Sequence, residues 1–390
     1  MNTRPPIESP SATTVLSITF NDNSSCFAVG LNTGFCIFDS ESCSLRTARD
    51  FNAGVGLVQM MGKANYLGLV GGGRQPKFAT NKFILWDDSK SKIALEISAL
   101  TPVRGIQLSK ERIVIVLQNS VRIYSFAKPP NLLAAYETAN NPWGACCLSQ
   151  KIIAFPGRST GQIQLVELAT GNVSIIPAHS SALRVIHLSS DGELLATASE
   201  TGTLIRVFAT SNCAKLIELR RGIDSATIFC LAFSPSATML ACTSDKSTLH
   251  IFDVPHPTKP SRQPPSPGNA RPGSPSSGGV SSDNADGKGK WGFLSRIPMM
   301  PRMFSDVYSF ASTSFEAADE PVVGGLPMTE STSFGSWKPP KGVVGWLNED
   351  RLLVVGAGKD ARWEKFVIQE GTDGRRHCFR EGWKRYLGSN

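Results

Sequence analysis

Residues 28–39 read AVGLNTGFCIFD: a short apolar strand, a turn of small polar residues, and a second strand that ends near an aromatic side chain. The β-branched and aromatic residues on both sides favour extended chain, and Asn-Thr-Gly favours the turn. This two-strand unit recurs along the chain. Its copies align on one apolar anchor each, namely Phe38, Trp86, Tyr124, Val166, Phe208, Phe252 and Phe366.

The spacing of these anchors predicts the fold. Successive anchors are 48, 38, 42, 42, 44 and 114 residues apart, and the first five intervals match the roughly 40 to 45 residues of a WD-type blade. The repeats predict an all-β, seven-bladed β-propeller that spans residues 1–390 as a single domain. A pair of β-sandwiches is the alternative, and the regular spacing disfavours it.

The composition limits the class of protein. Lys and Arg exceed Asp and Glu by 40 − 32 = 8, which favours an anionic partner such as phospholipid headgroups or nucleic acid. The nine cysteines are odd in number and lie mostly in apolar, strand-like contexts, which predicts reduced thiols in a cytosolic protein. No apolar run reaches transmembrane length, and residues 1–10 lack a signal-peptide core. We therefore expect any membrane contact to be peripheral.

The last anchor interval exceeds one blade by about 70 residues, which places an insertion at residues 255–304 of the sixth unit. Residues 255–289 are dominated by Pro, Ser, Gly and Asn, so we predict disorder there. Residues 290–304, KWGFLSRIPMMPRMF, combine large apolar side chains with cations and suit an anionic membrane surface. The predicted membrane-inserting side chains are Trp291, Phe293, Leu294, Ile297, Met300 and Phe304.

Two alternatives concern the same region of the chain. Pro298 and Pro301 disfavour a long continuous helix, so the apolar face would have to form from short turns or an extended segment. Instead of entering a membrane, residues 291–304 could fold back onto the propeller and cover a blade edge. A second stretch, residues 319–340, is also rich in Gly, Pro, Ser and Thr, and we predict a flexible loop there.

Leu219-Arg220-Arg221-Gly222 ends a predicted strand of the fifth unit. Successive side chains on a strand point to opposite faces, so the two arginines cannot share one pocket. Guanidinium groups make bidentate bonds to phosphate, and both flanking units carry hydroxyl, imidazole and amino groups. Each of these residues taken singly is more often structural, and most arginine pairs form a solvated turn. Their joint placement predicts two anion sites that share one turn.

The chain resembles the PROPPIN family, seven-bladed propellers that bind phosphoinositides and carry the signature F/L-R-R-G. Besides LRRG at 219–222, the resemblance rests on LVGGGRQPKF (69–78), NKFILWDD (81–88), NPWG (141–144), LLATASETGTLIRVF (194–208) and SDKSTLHIF (244–252). The insertion follows where family members carry a membrane-attaching loop. Leucine at 219 resembles the subfamily of the shorter human WIPI proteins, and Ser247 stands where the family often has glycine.

The resemblance implies two headgroup sites. The first comprises Arg220, His179, Ser199, Thr201, Thr203 and Arg206. The second comprises Arg221, Ser244, Lys246, Thr248 and His250. The implied ligands are phosphatidylinositol 3-phosphate and phosphatidylinositol 3,5-bisphosphate on anionic preautophagosomal, endosomal and vacuolar or lysosomal membranes. The implied protein partners are autophagy proteins such as a lipid-transfer protein, and no metal or other cofactor is expected.

The alternative function is a general protein-interaction propeller whose basic edge binds acidic proteins or RNA. Nothing resembles an RNA module, and the aromatic residues occupy repeat anchors instead of a stacking platform, so we expect no nucleic-acid partner. An enzyme is the least supported class. The chain has no zinc-ligand spacing or nucleophile elbow, and Gly71-Gly72-Gly73 lacks the G-x-G-x-x-G pattern of a dinucleotide site.

Overall fold

The protein is described by a computed structural model over residues 13–259, 307–316, 341–357 and 361–387. These residues form strands and turns that are arranged in seven sheets. Each sheet is one blade, and its first strand contacts the first strands of both neighbouring blades, so that the first strands form a closed ring. The predicted seven-bladed β-propeller is confirmed.

The first four blades each consist of four consecutive antiparallel strands. The first blade comprises β1 (Val15–Phe20), β2 (Cys26–Leu31), β3 (Gly34–Asp39) and β4 (Leu45–Asp50). The second comprises β5 (Val55–Met60), β6 (Tyr66–Gly71), β7 (Lys82–Asp87) and β8 (Lys92–Ser98). The third comprises β9 (Gly105–Leu108), β10 (Arg112–Val116), β11 (Ser120–Ser125) and β12 (Leu132–Glu137). The fourth comprises β13 (Cys147–Leu148), β14 (Ile152–Pro156), β15 (Gln162–Glu167) and β16 (Val173–Pro177).

The insertion leaves from the sixth blade and returns by way of the fifth. The fifth blade comprises β17 (Leu183–Leu188), β18 (Leu194–Ser199), β19 (Leu204–Ala209), β20 (Lys215–Arg220) and a short outer strand, β24 (Val307–Tyr308). The sixth comprises β21 (Ile228–Phe233), β22 (Met239–Ser244), β23 (Thr248–Asp253) and, after the insertion, β25 (Ala311–Ser314). The seventh comprises β26 (Val343–Trp346), β27 (Arg351–Val355), β28 (Arg362–Glu370) and β29 (Arg376–Arg385).

The anchors that revealed the repeat occupy one equivalent position in every blade. Each is the fifth residue of the third strand and is buried. In five blades a β-bulge in the pairing with the next strand lies at the anchor. A bulge bends its strand and increases the local twist, so the anchor marks the point where the outer strand curves away.

The ring closes where the seventh blade meets the first. The indole nitrogen of Trp363 donates to the carbonyl of Ser40 at 2.9 Å. Beside it, the rings of Phe27, Phe38 and Tyr386 pack with centroids 5.1 to 5.6 Å apart. Because both blades are complete sheets of consecutive strands, side-chain packing joins them instead of an exchanged strand.

Several predictions concern residues outside the described part of the chain. These are the membrane segment, with Trp291, Phe293, Leu294, Ile297, Met300 and Phe304, and the loop at 319–340. All nine cysteines are described, and none is paired in a disulfide. Among the described residues, no helix has the length and apolar character needed to cross a membrane.

Candidate functional site

The end of β20 sends its two arginines in different directions. Leu219 is fully buried in the apolar core that the fifth and sixth blades share. Side chains alternate along a strand, so Arg220 lies on the opposite face, which is turned towards the fourth blade. Arg220 is in register with Leu204 of β19 on one side and with Tyr308 of β24 on the other.

We call the space between the fourth and fifth blades the first cleft, with His179, Arg206 and Arg220 as its defining residues. His179 Nε2 lies 2.9 Å from the Thr197 hydroxyl, and Arg206 donates to the carbonyl of Ala178 at 2.6 Å. A cavity of about 270 Å³ opens beside Arg206, between the outer strand of the fourth blade and β19. Side chains from both blades therefore meet in this cleft.

The other predicted members of the first set lie at the edge of the first cleft. Ser199 follows Thr197 by two residues on the same face of β18 and is buried. The hydroxyl of Thr201 lies 3.1 Å from that of Ser181, in the turns above the cleft. Thr203 contributes its carbonyl, which accepts from the Arg221 backbone N–H at 3.0 Å. These residues therefore belong to the strand end and turns that border the cleft.

Charges within the first cleft are partly compensated. Arg206 donates to the Glu218 carboxylate at 2.7 Å, and Lys215 Nζ lies 3.5 Å from the same oxygen. Burial alone would raise the pKa of Glu218, but the hydrogen bond and charge of Arg206 outweigh it and lower that pKa. Burial, with a further contribution from the Arg206 charge, lowers the pKa of His179 to about 4. At neutral pH the imidazole is therefore uncharged.

We call the space between the fifth and sixth blades the second cleft, with Arg221 and His250 as its defining residues. Arg221 is only 8% exposed, and its guanidinium donates to the carbonyls of Gly202, at 2.9 Å from Nε, and Asp224. Burial first, and then the Arg221 charge, lower the pKa of His250 to about 4. Arg221 thus lies near the sixth blade, whereas Arg220 lies towards the fourth.

Hydroxyl groups flank His250 on both sides. Its Nε2 lies 3.1 Å from the Thr248 hydroxyl, and its Nδ1 lies 3.1 Å from the hydroxyl of Ser309 in the returning end of the insertion.

The remaining predicted members of the second set lie in the turn between β22 and β23. Ser244 is fully buried, and its hydroxyl accepts a hydrogen bond from the Lys246 backbone N–H at 3.4 Å, which supports the turn. The Lys246 side chain is exposed.

The turn of the second cleft has the conformation expected for glycine. Ser247 has φ of 55°, in the left-handed region where glycine is the ordinary residue. Ser247 therefore holds a backbone conformation that glycine would adopt without strain.

Comparison with known proteins identifies the family. A family model described as PROPPIN matches residues 14–271. The chain belongs to the PROPPIN family. An SVP1-like protein 2 of Neurospora crassa is 55% identical over 426 aligned positions, which cover 100% of this chain and 99% of the relative. An SVP1-like protein 2 of Emericella nidulans is 56% identical over 331 positions, covering 85% and 99% respectively.

Solved PROPPIN-like structures share the fold. Hsv2 of Kluyveromyces lactis with its complete loop 6CD superposes with a TM-score of 0.72 at 20% identity, over 96% of this chain and 100% of the other. The complex of KlAtg21 with the coiled coil of AgAtg16 gives a TM-score of 0.63 at 17% identity, over 95% and 99%. At these identities the likeness supports the seven-bladed architecture.

Three residues of this PROPPIN that contact the predicted site were missed from sequence. Thr197 and Glu218 carry a signal that could have found them, because each lies two residues from a predicted member, Ser199 and Arg220 respectively, on the same strand face. Ser309 carries no such signal. It is 59 residues from His250 and lies beyond the insertion.

The outgoing end of the insertion is clamped to the fifth blade of the PROPPIN. His256 Nε2 lies 3.2 Å from Asp191 and 3.8 Å from Glu193, and the three groups could together hold a metal ion because their ligand atoms lie within 4.8 Å of one another. Lys259 Nζ donates to Asp191 at 2.7 Å, however. The chain supplies its own cation to Asp191, which favours a structural clamp.

Proposed function

We propose that this PROPPIN is a non-catalytic scaffold of autophagy and endolysosomal traffic that binds phosphoinositides at membrane surfaces. It binds phosphatidylinositol 3-phosphate and phosphatidylinositol 3,5-bisphosphate peripherally on preautophagosomal, endosomal and vacuolar or lysosomal membranes. The proposal rests on the adjacent positions of Arg220, on the strand face towards the fourth blade, and Arg221, whose charge acts on His250 of the sixth blade. Membership of the PROPPIN family supports the same ligand class.

Each cleft offers the donors that a phosphate monoester requires. The first cleft combines Arg220 with His179, which is neutral at pH 7 and can donate one N–H, and with nearby hydroxyl groups. The second combines Arg221, His250 and Thr248, with the exposed amino group of Lys246 in the adjacent turn. Bonds between guanidinium and phosphate are charge-assisted and are stronger than bonds between neutral groups.

Two sites on one edge bind the same membrane together. Linked binding raises apparent affinity by roughly 10²- to 10⁴-fold when the geometry permits both contacts. The insertion returns beside both clefts, at Val307–Tyr308 next to Arg220 and at Ser309 next to His250. We assign its segment 290–304 an additional apolar contact with the same bilayer.

Protein partners bind elsewhere on the propeller. The complex of KlAtg21 with the coiled coil of AgAtg16 supports autophagy proteins as a partner class, since that propeller shares this fold. A lipid-transfer protein is a further partner of the same class. Binding of lipid between the fourth, fifth and sixth blades leaves the other four for such contacts.

Liposome co-sedimentation of the full chain tests the proposal. The double variant Arg220→Ala with Arg221→Ala should lose binding to liposomes that contain phosphatidylinositol 3-phosphate. Lys63→Ala with Lys92→Ala removes the same charge from exposed positions on the second blade and should bind like the parent. Because Arg221 holds two turn carbonyls, thermal unfolding must show that the variants are folded.

Two results would count against the proposal. Undiminished liposome binding by a folded double variant excludes the arginines as headgroup ligands. Equal binding to phosphatidylserine liposomes of matched charge, or to RNA at physiological salt, indicates instead the general propeller with a basic edge.

A further inference from the structure

The returning end of the insertion bridges the outer edges of the fifth and sixth blades. We call residues 307–310 the strap. Its first two residues pair in parallel with the last two residues of β20. Its last residue, Phe310, donates its backbone N–H to the carbonyl of Ile251 in β23 at 3.0 Å. The strap therefore spans the second cleft and is fixed to both of the blades that form it.

Ser309 lies between these two attachments and contacts the second cleft. Its hydroxyl is 3.1 Å from Nδ1 of His250, and Nε2 of His250 is 3.1 Å from the hydroxyl of Thr248. A neutral imidazole has one N–H donor and one acceptor nitrogen. His250 is neutral at pH 7, so the two hydroxyls must play opposite roles towards it. One hydroxyl donates to the ring and the other accepts from it.

We propose that Ser309 sets the tautomer of His250 so that the second cleft presents a proton to a phosphate anion. Ser309 donates to Nδ1, the ring proton stays on Nε2, and Nε2 donates to the Thr248 oxygen. The proton of the Thr248 hydroxyl is then available for a phosphate oxygen. In the other tautomer the ring proton is on Nδ1, and the Thr248 hydroxyl donates to Nε2. The Thr248 oxygen then faces the anion with lone pairs only. This inference rests on the proposed function and adds Ser309 to the second site as a positioning residue.

Ser309 supports the tautomer that suits the anion because it removes the cost of an unpaired acceptor. The tautomer that suits the anion leaves a lone pair on Nδ1, and His250 is partly buried. An acceptor without a donor in such a place costs free energy. Ser309 supplies that donor, and the pairing of the strap with both blades holds it in place. The ligand is a phosphate monoester on an inositol ring, carried by a lipid or free in solution.

Titration calorimetry with soluble inositol 1,3-bisphosphate tests the affinity. The parent for this test is the full chain carrying Arg220→Ala, so that only the second site is measured. Ser309→Ala should weaken binding about fivefold to tenfold, the effect of one hydrogen bond. Ser309→Thr keeps a hydroxyl and should restore binding. Ser312→Ala is the matched control, because Ser312 is exposed in β25, in register with His250.

Nitrogen-15 chemical shifts of His250 test the proton position. The parent should show the Nε2–H tautomer, and Ser309→Ala should show a mixture. The same variants are also measured with liposomes that contain phosphatidylinositol 3-phosphate. A defect with both ligands indicates a lipid headgroup site, a defect with the soluble ligand alone indicates a site for free inositol phosphate, and either supports the role of Ser309.

Failures of the two proposals are distinguishable. If the parent binds no inositol phosphate, the proposed second headgroup site is wrong, and the role of Ser309 in anion binding falls with it. If the parent binds and Ser309→Ala binds equally well with an unchanged tautomer, only the role of Ser309 is wrong.

Discussion

Glu218 accepts a hydrogen bond of 2.7 Å from Arg206, on the face of the fifth blade that carries Arg220. Glu218 and Arg220 are two residues apart on β20, so their side chains lie on the same face. The carboxylate thus offsets one of the two arginine charges in the first cleft. Its negative charge opposes an incoming phosphate, and the opposition increases with the number of phosphates on the ligand.

Glu218→Gln should therefore tighten the first site. In a chain carrying Arg221→Ala, we expect about fivefold stronger binding of soluble inositol 1,3-bisphosphate, and a larger gain for inositol 1,3,5-trisphosphate. Titration calorimetry measures both ligands. Glu96→Gln, on the outer strand of the second blade and paired with Lys82 at 3.1 Å, is the control and should change neither affinity. Unchanged or weaker binding by Glu218→Gln would show that the carboxylate does not oppose the ligand.

Acidification should destabilise the propeller through its buried and partly buried histidines. Burial is the main cause that lowers the pKa values of His179, His187 and His250 to about 4, from 6.5 for an ordinary histidine. Between these values the unfolded chain binds more protons than the folded one. The free energy of unfolding therefore falls as the pH falls from about 7 to about 4.

His187 gives the clearest measurement of this effect because its ring is largely shielded from solvent and it lies outside both clefts. Urea unfolding at pH 7 and pH 5 should show that His187→Gln loses about 1 to 2 kcal/mol of the pH dependence, whatever its stability at pH 7. A variant with the same pH dependence as the parent would mean that His187 is protonated equally in both states.

Ser247→Gly should stabilise the fold. The left-handed backbone at Ser247, with φ of 55°, costs a residue with a side chain about 1 kcal/mol, and glycine removes most of that cost. Urea unfolding should show a gain of about 0.5 kcal/mol after the added entropy of the unfolded chain is included. The control Ser174→Gly, in an extended and exposed part of β16, should lower stability. A loss at both positions would indicate that the Ser247 side chain makes a stabilising contact.

The fold could be predicted from sequence because its signal is local and repeated. Every blade places an apolar residue at the fifth position of its third strand. The distances along the chain between these seven anchors therefore predict the architecture. Strand alternation also predicts the divergence of Arg220 and Arg221, since only adjacent residues are involved. The first prediction needs only a regular repeat along the chain, and the second needs only two neighbouring residues.

Contacts that depend on the path of the insertion could not be predicted. Ser309 reaches His250 across 59 positions, and Asp191 meets His256 across 65, with no periodic pattern to pair them. Ser244 illustrates a second limit. A serine that supports a turn and a serine that binds phosphate occupy the same kind of position in the sequence, and only the structure shows that Ser244 is completely buried.

The stoichiometry of soluble headgroup binding tests the two-cleft account most directly. Calorimetric titration of the full chain with inositol 1,3-bisphosphate should give two ligands per protein for the parent, one for Arg220→Ala, one for Arg221→Ala, and none for the folded double variant. A single ligand in the parent, or two ligands in either single variant, would contradict the assignment of one arginine to each cleft.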